Sequence, residues 1–196
     1  MKKYILILII IFLGNYLLIA QVKDEHEERI KINELPNSAK DALEYLPQTI
    51  KRLKFYKETD GRRQSFEIKF KYKKEHYSIE FDTLGTIEDI EVICEIKQLK
   101  PKVKHQIITY FDSNYEKAKI IKTQQQFVFS DAFTTNRFIN KVLDKSIDTE
   151  INYEIVIEAT KASKRNIKEF TFNQDGEFID FRILKQPNYS HVLFEN

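Results

Sequence analysis

"SIEFDTLGTIEDIEV", residues 78–92, has an echo in "KEFTFNQDGEFIDFRI", residues 168–183. Placing Phe81 on Phe172 aligns Asp82 with Asn173, Gly85 with Gly176, Ile87 with Phe178, Asp89 with Asp180, Ile90 with Phe181 and Val92 with Ile183. In each run an alternating apolar segment leads into a four-residue turn and out into another. An Asp or Asn at the first turn position accepts backbone hydrogen bonds, and a Gly at the fourth tolerates a left-handed backbone. The repeated unit is therefore a β-hairpin, held in one register each time because a one-residue slip would invert every side chain.

Reading outward, "ELPNSAKDALEYL" (34–46) spaces Ala39, Ala42, Leu43 and Leu46 as one helical face with Pro36 in the opening turn. "QLKPKVKHQIITYF" (98–111) repeats the plan, with Pro101 first and Val103, Ile107, Tyr110 and Phe111 as the apolar stripe. Leu35 and Leu99 precede the two helices in matching fashion. Each helix is followed by strands. In the first copy Asp60-Gly61 marks a hairpin, Phe66, Ile68, Phe70 and Tyr72 share one face, and Glu67, Lys69 and Lys71 are expected to face water. Tyr77, Ile79 and Phe81, then Ile90, Val92, Cys94 and Ile96, supply further inward positions. In the second copy Tyr153, Ile155 and Ile157 take the places of Phe66, Ile68 and Phe70. One-sided alternation asks for a single covering layer. The expected fold class is therefore α+β: two tandem units, each one helix on an antiparallel sheet of about four strands.

The second copy is longer by an insertion placed at 124–150. It carries Phe127, Phe129 and Phe133, then a predicted helix opened by Thr134 or Thr135 and bearing Phe138, Ile139, Val142 and Leu143. It reads either as a packed layer over the second sheet or as an aromatic contact surface. The alternating charges Glu67, Lys69, Lys71 and Glu80, with Glu154, Glu158, Glu169 and Thr171, read as a solvated face or a docking platform. Phe127, Phe129, Phe133, Phe138, Lys69 and Lys71 are the candidate partner contacts. "PNYSHVLFEN" (187–196) ends the chain with Tyr189, Val192, Leu193 and Phe194, packed as an edge segment or presented outward.

At the other end, Lys2 and Lys3 precede an apolar run from Tyr4 to Ile19, and Ala20 offers a small residue before "QVKDEHEER". That is the layout of a signal peptide over 1–20; an uncleaved anchor is the rival, although the run is short for a membrane span. The acidic stretch 21–32 reads as a solvated tether, 33–96 as the first unit, 97–185 as the second and 186–196 as a tail. Residues 1–20 hold two of the 32 Lys and Arg and none of the 30 Asp and Glu, so the exported remainder is balanced. A basic field for nucleic acid is absent. Cys94 is the one cysteine, so no internal disulfide exists; its register makes it a small core residue, with a reactive thiol as the alternative.

No GxSxG, phosphate-cradling loop or HExxH occurs, and His26, His76, His105 and His191 are dispersed. No catalytic residue, cofactor or metal is expected, and the chain is read as non-enzymatic.

"LPNSAKDALEYLP" with "HYSIEFDTLGTIEDIEV" resembles PepSY-like proteins whose fold is similar to β-lactamase-inhibitor protein. That resemblance implies an exported bacterial binding protein, periplasmic or secreted, that binds or inhibits an envelope protein or peptidase. The balanced charge and the leader point to no nucleic-acid partner and no membrane contact after leader removal. A small-ligand binder or sensor, using the groove between units or a cavity lined by the insertion, is the second reading, and an unrecognised hydrolase the third.

Overall fold

The computed structural model of the protein describes residues 21–185; the expected leader and the tail from 186 lie outside the described residues. In chain order the elements are β1 (Gln21–Lys23), β2 (Glu25–Ile30), α1 (Asn37–Ala42), β3 (Lys51–Asp60), β4 (Arg63–Tyr72), β5 (Glu75–Phe81) and β6 (Ile87–Ile93). They continue with α2 (Pro101–Asn114), β7 (Lys117–Val128), α3 (Thr135–Leu143), β8 (Ile151–Lys161), β9 (Lys164–Phe172) and β10 (Phe178–Leu184). All ten strands join one sheet in the order β1-β10-β9-β8-β7-β6-β5-β4-β3-β2. The two ends of that order are consecutive in sequence, separated by Asp24 alone. β1 pairs in parallel with β10 and β2 antiparallel with β3, so one N-terminal run touches both edges and rolls the sheet into a nearly closed barrel.

This overturns the α+β expectation. There are not two sheets with water on their polar sides; β6 pairs with β7, and a single mostly β, barrel-like sheet carries three short helices on its outside. The acidic stretch read as a tether is the strand run that closes the barrel. The seam is held at Asp24: its N–H donates to Asp60 Oδ1 at the end of β3 (2.9 Å), and Lys185, just beyond β10, reaches its Oδ2 at 2.6 Å.

The echoed turns are built alike. Asp82 Oδ1 accepts from the N–H of Leu84 and Thr86 (both 2.8 Å), and Asn173 Oδ1 from those of Asp175 (3.0 Å) and Glu177 (2.9 Å). Gly85 and Gly176 both sit at φ +83°, and each turn lies against the start of a helix. A Cβ on Gly85 would come within 2.9 Å of Pro36 Cβ, and one on Gly176 within 2.8 Å of the Val103 carbonyl oxygen. Both glycines thus answer a left-handed backbone and a close approach together. Before the helices, the N–H of Lys31 donates to Glu34 (2.8 Å) and that of Glu95 to Gln98 (2.6 Å), giving each helix the same 3₁₀ lead-in.

The apolar core lies between the barrel's outer face and the helices. Leu35, Ala39 and Ala42 cover Ile68, Phe70, Tyr77, Ile79, Phe81, Ile87 and Ile90, while Leu99, Val103, Ile107 and Phe111 cover Tyr153, Ile155, Ile157, Phe170 and Phe172. The helix α3 forms where expected, Thr134 Oγ1 accepting from the N–H of Arg137 at 3.3 Å. Its placement differs: Phe138, Ile139, Val142 and Leu143 join the first cluster beside α1, not a layer on the second half. That is a matter of area. Six residues of α1 cannot roof the broad apolar face of β3 to β6, whereas fourteen-residue α2 covers β7 to β10. The insertion proper also begins later than residue 124, since β7 runs to Val128. Cys94 is half-buried beside the second cluster, and burial together with the charge of Glu75 pushes its thiol up to about 11.

Two stability outcomes follow from this packing. Gly176→Ala combines a left-handed backbone with contact on a main-chain oxygen and is expected to lower unfolding free energy by about 2 kcal/mol or more in urea titration. Phe138→Ala removes a fully buried ring that meets Phe129 edge-on at 5.2 Å and is expected to cost about 3–5 kcal/mol; a loss under about 1 kcal/mol would place the ring outside the core.

Candidate functional site

Closure turns the polar side of every strand into a lumen. The alternation that puts Ile68 and Phe70 outward under the helices puts Glu67 and Lys69 inward. Glu67 is 3% exposed, Glu154 and Glu169 each 7%, so these positions do not face water as the sequence suggested; Glu80 is partly buried and lines the same space. Adjoining cavities of about 80, 70 and 100 Å³ run through the lumen. Their carboxylates are Glu25, Glu27, Glu58, Asp60, Glu67, Glu80, Asp89, Glu91, Glu154 and Glu169, and they outnumber the cations Lys23, Arg52, Lys54, Arg63, Lys69, Lys122 and Arg182 of the same cavities.

The acids fall into two electrostatic groups. On the β1–β10 side, Glu169 is gripped by Lys23 (3.1 Å) and Arg182 (2.5 Å), and Lys23 also holds Glu25 (2.6 Å). Burial opposes the charge on Glu169, but these two cations outweigh it and draw its carboxyl down to about 2. Glu25 is lowered against its burial by Lys23, and Lys23 is raised against its own burial by Glu169 and Glu25. Lys69 bridges Glu27 (2.8 Å) and Glu67 (3.0 Å), and the Ser78 hydroxyl donates to the other Glu67 oxygen.

On the β5–β6 side the balance fails. Glu80, Asp89 and Glu91 bring one carboxylate oxygen each within 4.8 Å of the others, and the described residues supply no ion pair to any of the three. Burial first, and neighbouring carboxylates second, hold all three well above the usual carboxylate range. Glu58 is raised by burial and by Glu67, and Glu154 by burial and by Glu169. Glu25, Glu27 and Glu58 form a second close trio, but lysines already hold two of its members.

The expected contact residues are distributed otherwise than a contact surface requires. Phe127 is 9% exposed and Phe138 fully buried, with Phe129 and Phe133 packed half-buried against the same cluster. Lys69 is inside the lumen, and Lys71 lies partly buried on the same face across from His76. Neither carboxylate trio has a spacing signature in the sequence, because its acids come from alternate positions of separate strands. Outside the barrel, an open groove of about 510 Å³ runs between Asp148–Asn152 and the turn at Asn173–Asp175, lined by polar side chains.

No protein-family model and no curated protein matches the chain. Solved structures do. A DUF2874 family protein from Bacteroides ovatus superposes with a TM-score of 0.51 at 9% identity, over 76% of this chain and 87% of that one. A DUF2874 family protein from Bacteroides uniformis gives 0.49 at 11% identity (76% and 88%), and a candidate periplasmic protein from Bacteroides eggerthii 0.49 at 9% (76% and 88%). The first likeness is one of fold. None of these descriptions names a PepSY-like or β-lactamase-inhibitor-like protein, so what stands is similarity to DUF2874 structures. Among the described residues no helix is long and apolar enough to cross a membrane.

The Glu169 network gives a pH signature. A carboxyl whose folded value is lowered to about 2 stabilises the fold above its unfolded value, near 4.5, and that contribution is lost as pH falls from about 4.5 toward 2. The difference corresponds to roughly 3 kcal/mol. Glu169→Gln should flatten this acid limb in urea melts at successive pH values and should destabilise the fold at neutral pH, leaving Lys23 with Glu25 and Arg182 with Asp60 as their remaining partners.

Proposed function

We propose that this chain is a non-enzymatic binding protein of the bacterial envelope whose ligand is small and polar and enters the barrel lumen. One observation carries the reading: adjoining carboxylate-lined cavities lie inside the barrel, with more acids than cations to neutralise them. Burying unpaired charge is costly, and a fold gains nothing from it unless something compensates. The cavities suit ions and molecules of a few atoms, being far below the size of drug-like sites.

The protein-partner reading loses its main support, since the aromatic residues meant to anchor a partner are core or packed against it. The PepSY-like resemblance of the first helix and hairpins supports an exported, non-catalytic role but does not favour one ligand.

Val156, on the lumen side of β8 across from Glu169, provides the test. Native mass spectrometry and thermal shift against divalent cations, inorganic phosphate, free amino acids and dipeptides should identify a ligand for the wild-type protein. Val156→Trp should abolish that binding while leaving the strand circular dichroism intact. Undiminished binding by the filled barrel, or no ligand at all from that panel, would overturn the proposal.

A further inference from the structure

We propose that Glu80, Asp89 and Glu91 form a binding site for one hard divalent cation, of the calcium and magnesium class, inside the barrel. The inference rests on the lumen being the binding region and adds the site and the chemistry of its ligand. Glu80 and Asp89 face each other across the β5–β6 pair, and Glu91 lies two residues along β6 on the same face. The register shifts here: Phe81 pairs with Ile87 but Glu80 with Asp89, leaving Glu88 as the extra residue. Bulges of this kind re-aim side chains. Ile87 and Ile90 both stay on the core side, and the extra residue between them puts Asp89 in the lumen beside Glu91.

Asp89 supplies the observation that separates this trio from an ordinary acidic cluster. It is 8% exposed; Gln126 Nε2 donates to its Oδ2 at 3.0 Å, while its Oδ1 is buried without any hydrogen-bond donor. Gln126 is itself fixed, its Oε1 accepting from Asn152 Nδ2 at 3.2 Å. A chain of amides on β7 and β8 therefore orients the carboxylate and leaves one oxygen free, the arrangement that outer residues provide for metal ligands. Oxygens within 4.8 Å of one another can all touch a single ion at about 2.3–2.6 Å, and the adjoining cavity of about 100 Å³ has room for the waters that complete its shell. Three carboxylates with no thiolate or imidazole among them favour a hard cation. The competing trio is less suited, because Lys23 and Lys69 already sit on Glu25 and Glu27 at 2.6 and 2.8 Å.

The test compares chelator-treated protein with the same protein given CaCl2 or MgCl2 at millimolar concentration, against NaCl of equal ionic strength. Wild-type protein should gain about 5 °C or more in Tm with one of the two ions and show one site by calorimetry. Asp89→Asn, Glu91→Gln and Glu80→Gln each remove like charge, so their metal-free melting should stay at or above wild type. Their metal-induced shift should disappear, with affinity down at least about tenfold, while Glu27→Gln should keep affinity within about twofold of wild type. Three separate variants keep the test decisive if one folds poorly. A shift retained in all three variants, or lost in Glu27→Gln instead, would overturn this site while leaving a lumen ligand intact. Binding of a small molecule but of neither cation would do the same.

Discussion

The structure depends on one seam. Ten N-terminal residues, Gln21–Ile30, pair with β10 on one side and β3 on the other, changing partner at Asp24. Asp24 is tied to Asp60 and Lys185, and Arg182 approaches Asp60 at 3.6 Å, so both sheet edges meet at a knot of backbone and charge. Without this run the sheet would have two long free edges, each a row of unpaired backbone groups, and its polar side would be open to water. With it, the polar side becomes an interior.

An interior made this way inverts the usual arrangement. The hydrophobic material lies outside the barrel, beneath the helices, where the rings of Tyr110, Phe111, Phe170, Phe172 and Phe178 pack mostly edge to face. The charges lie inside. Part of that interior is self-satisfied: the cluster of Lys23, Glu25, Glu169 and Arg182 pairs each charge with an opposite one, and breaking it by one residue is costly because the others cannot return to water. Among the described residues, Glu80, Asp89 and Glu91 on the β5–β6 wall form no ion pair. The difference between these two walls gives the lumen its chemical direction, and it marks where a positively charged ligand would find compensation waiting.

Much of the architecture was legible because it is local. Asp82-to-Gly85 and Asn173-to-Gly176 are set by side-chain-to-backbone bonds within five residues, the helix starts by Pro36 and Pro101, and α3 by Thr134. The outward apolar faces were equally readable, since period-two alternation names a face whatever covers it. The candidate contacts fared otherwise. Phe127 and Phe138 could be read as a packed layer over the second half or as a contact surface, because sequence does not say that α1 is too short to roof the first half of the sheet. The carboxylate trio needed a bulge at Glu88 to bring Asp89 onto the same side as Glu80, and nothing in "TIEDIEV" separates a bulge from plain alternation.

The sequence by itself determined which residues turn, which form helices, and that every strand has one oily and one charged side. It could not determine what the charged side meets, because alternating Glu and Lys satisfy the same pattern whether they face solvent or one another. Only the tertiary structure decided that. Pairing of residues 21–30 with β10 on one side and β3 on the other includes a long-range contact, and enclosing the charges in a small volume shut off from bulk water changes their energies from those of a solvated surface to those of a site.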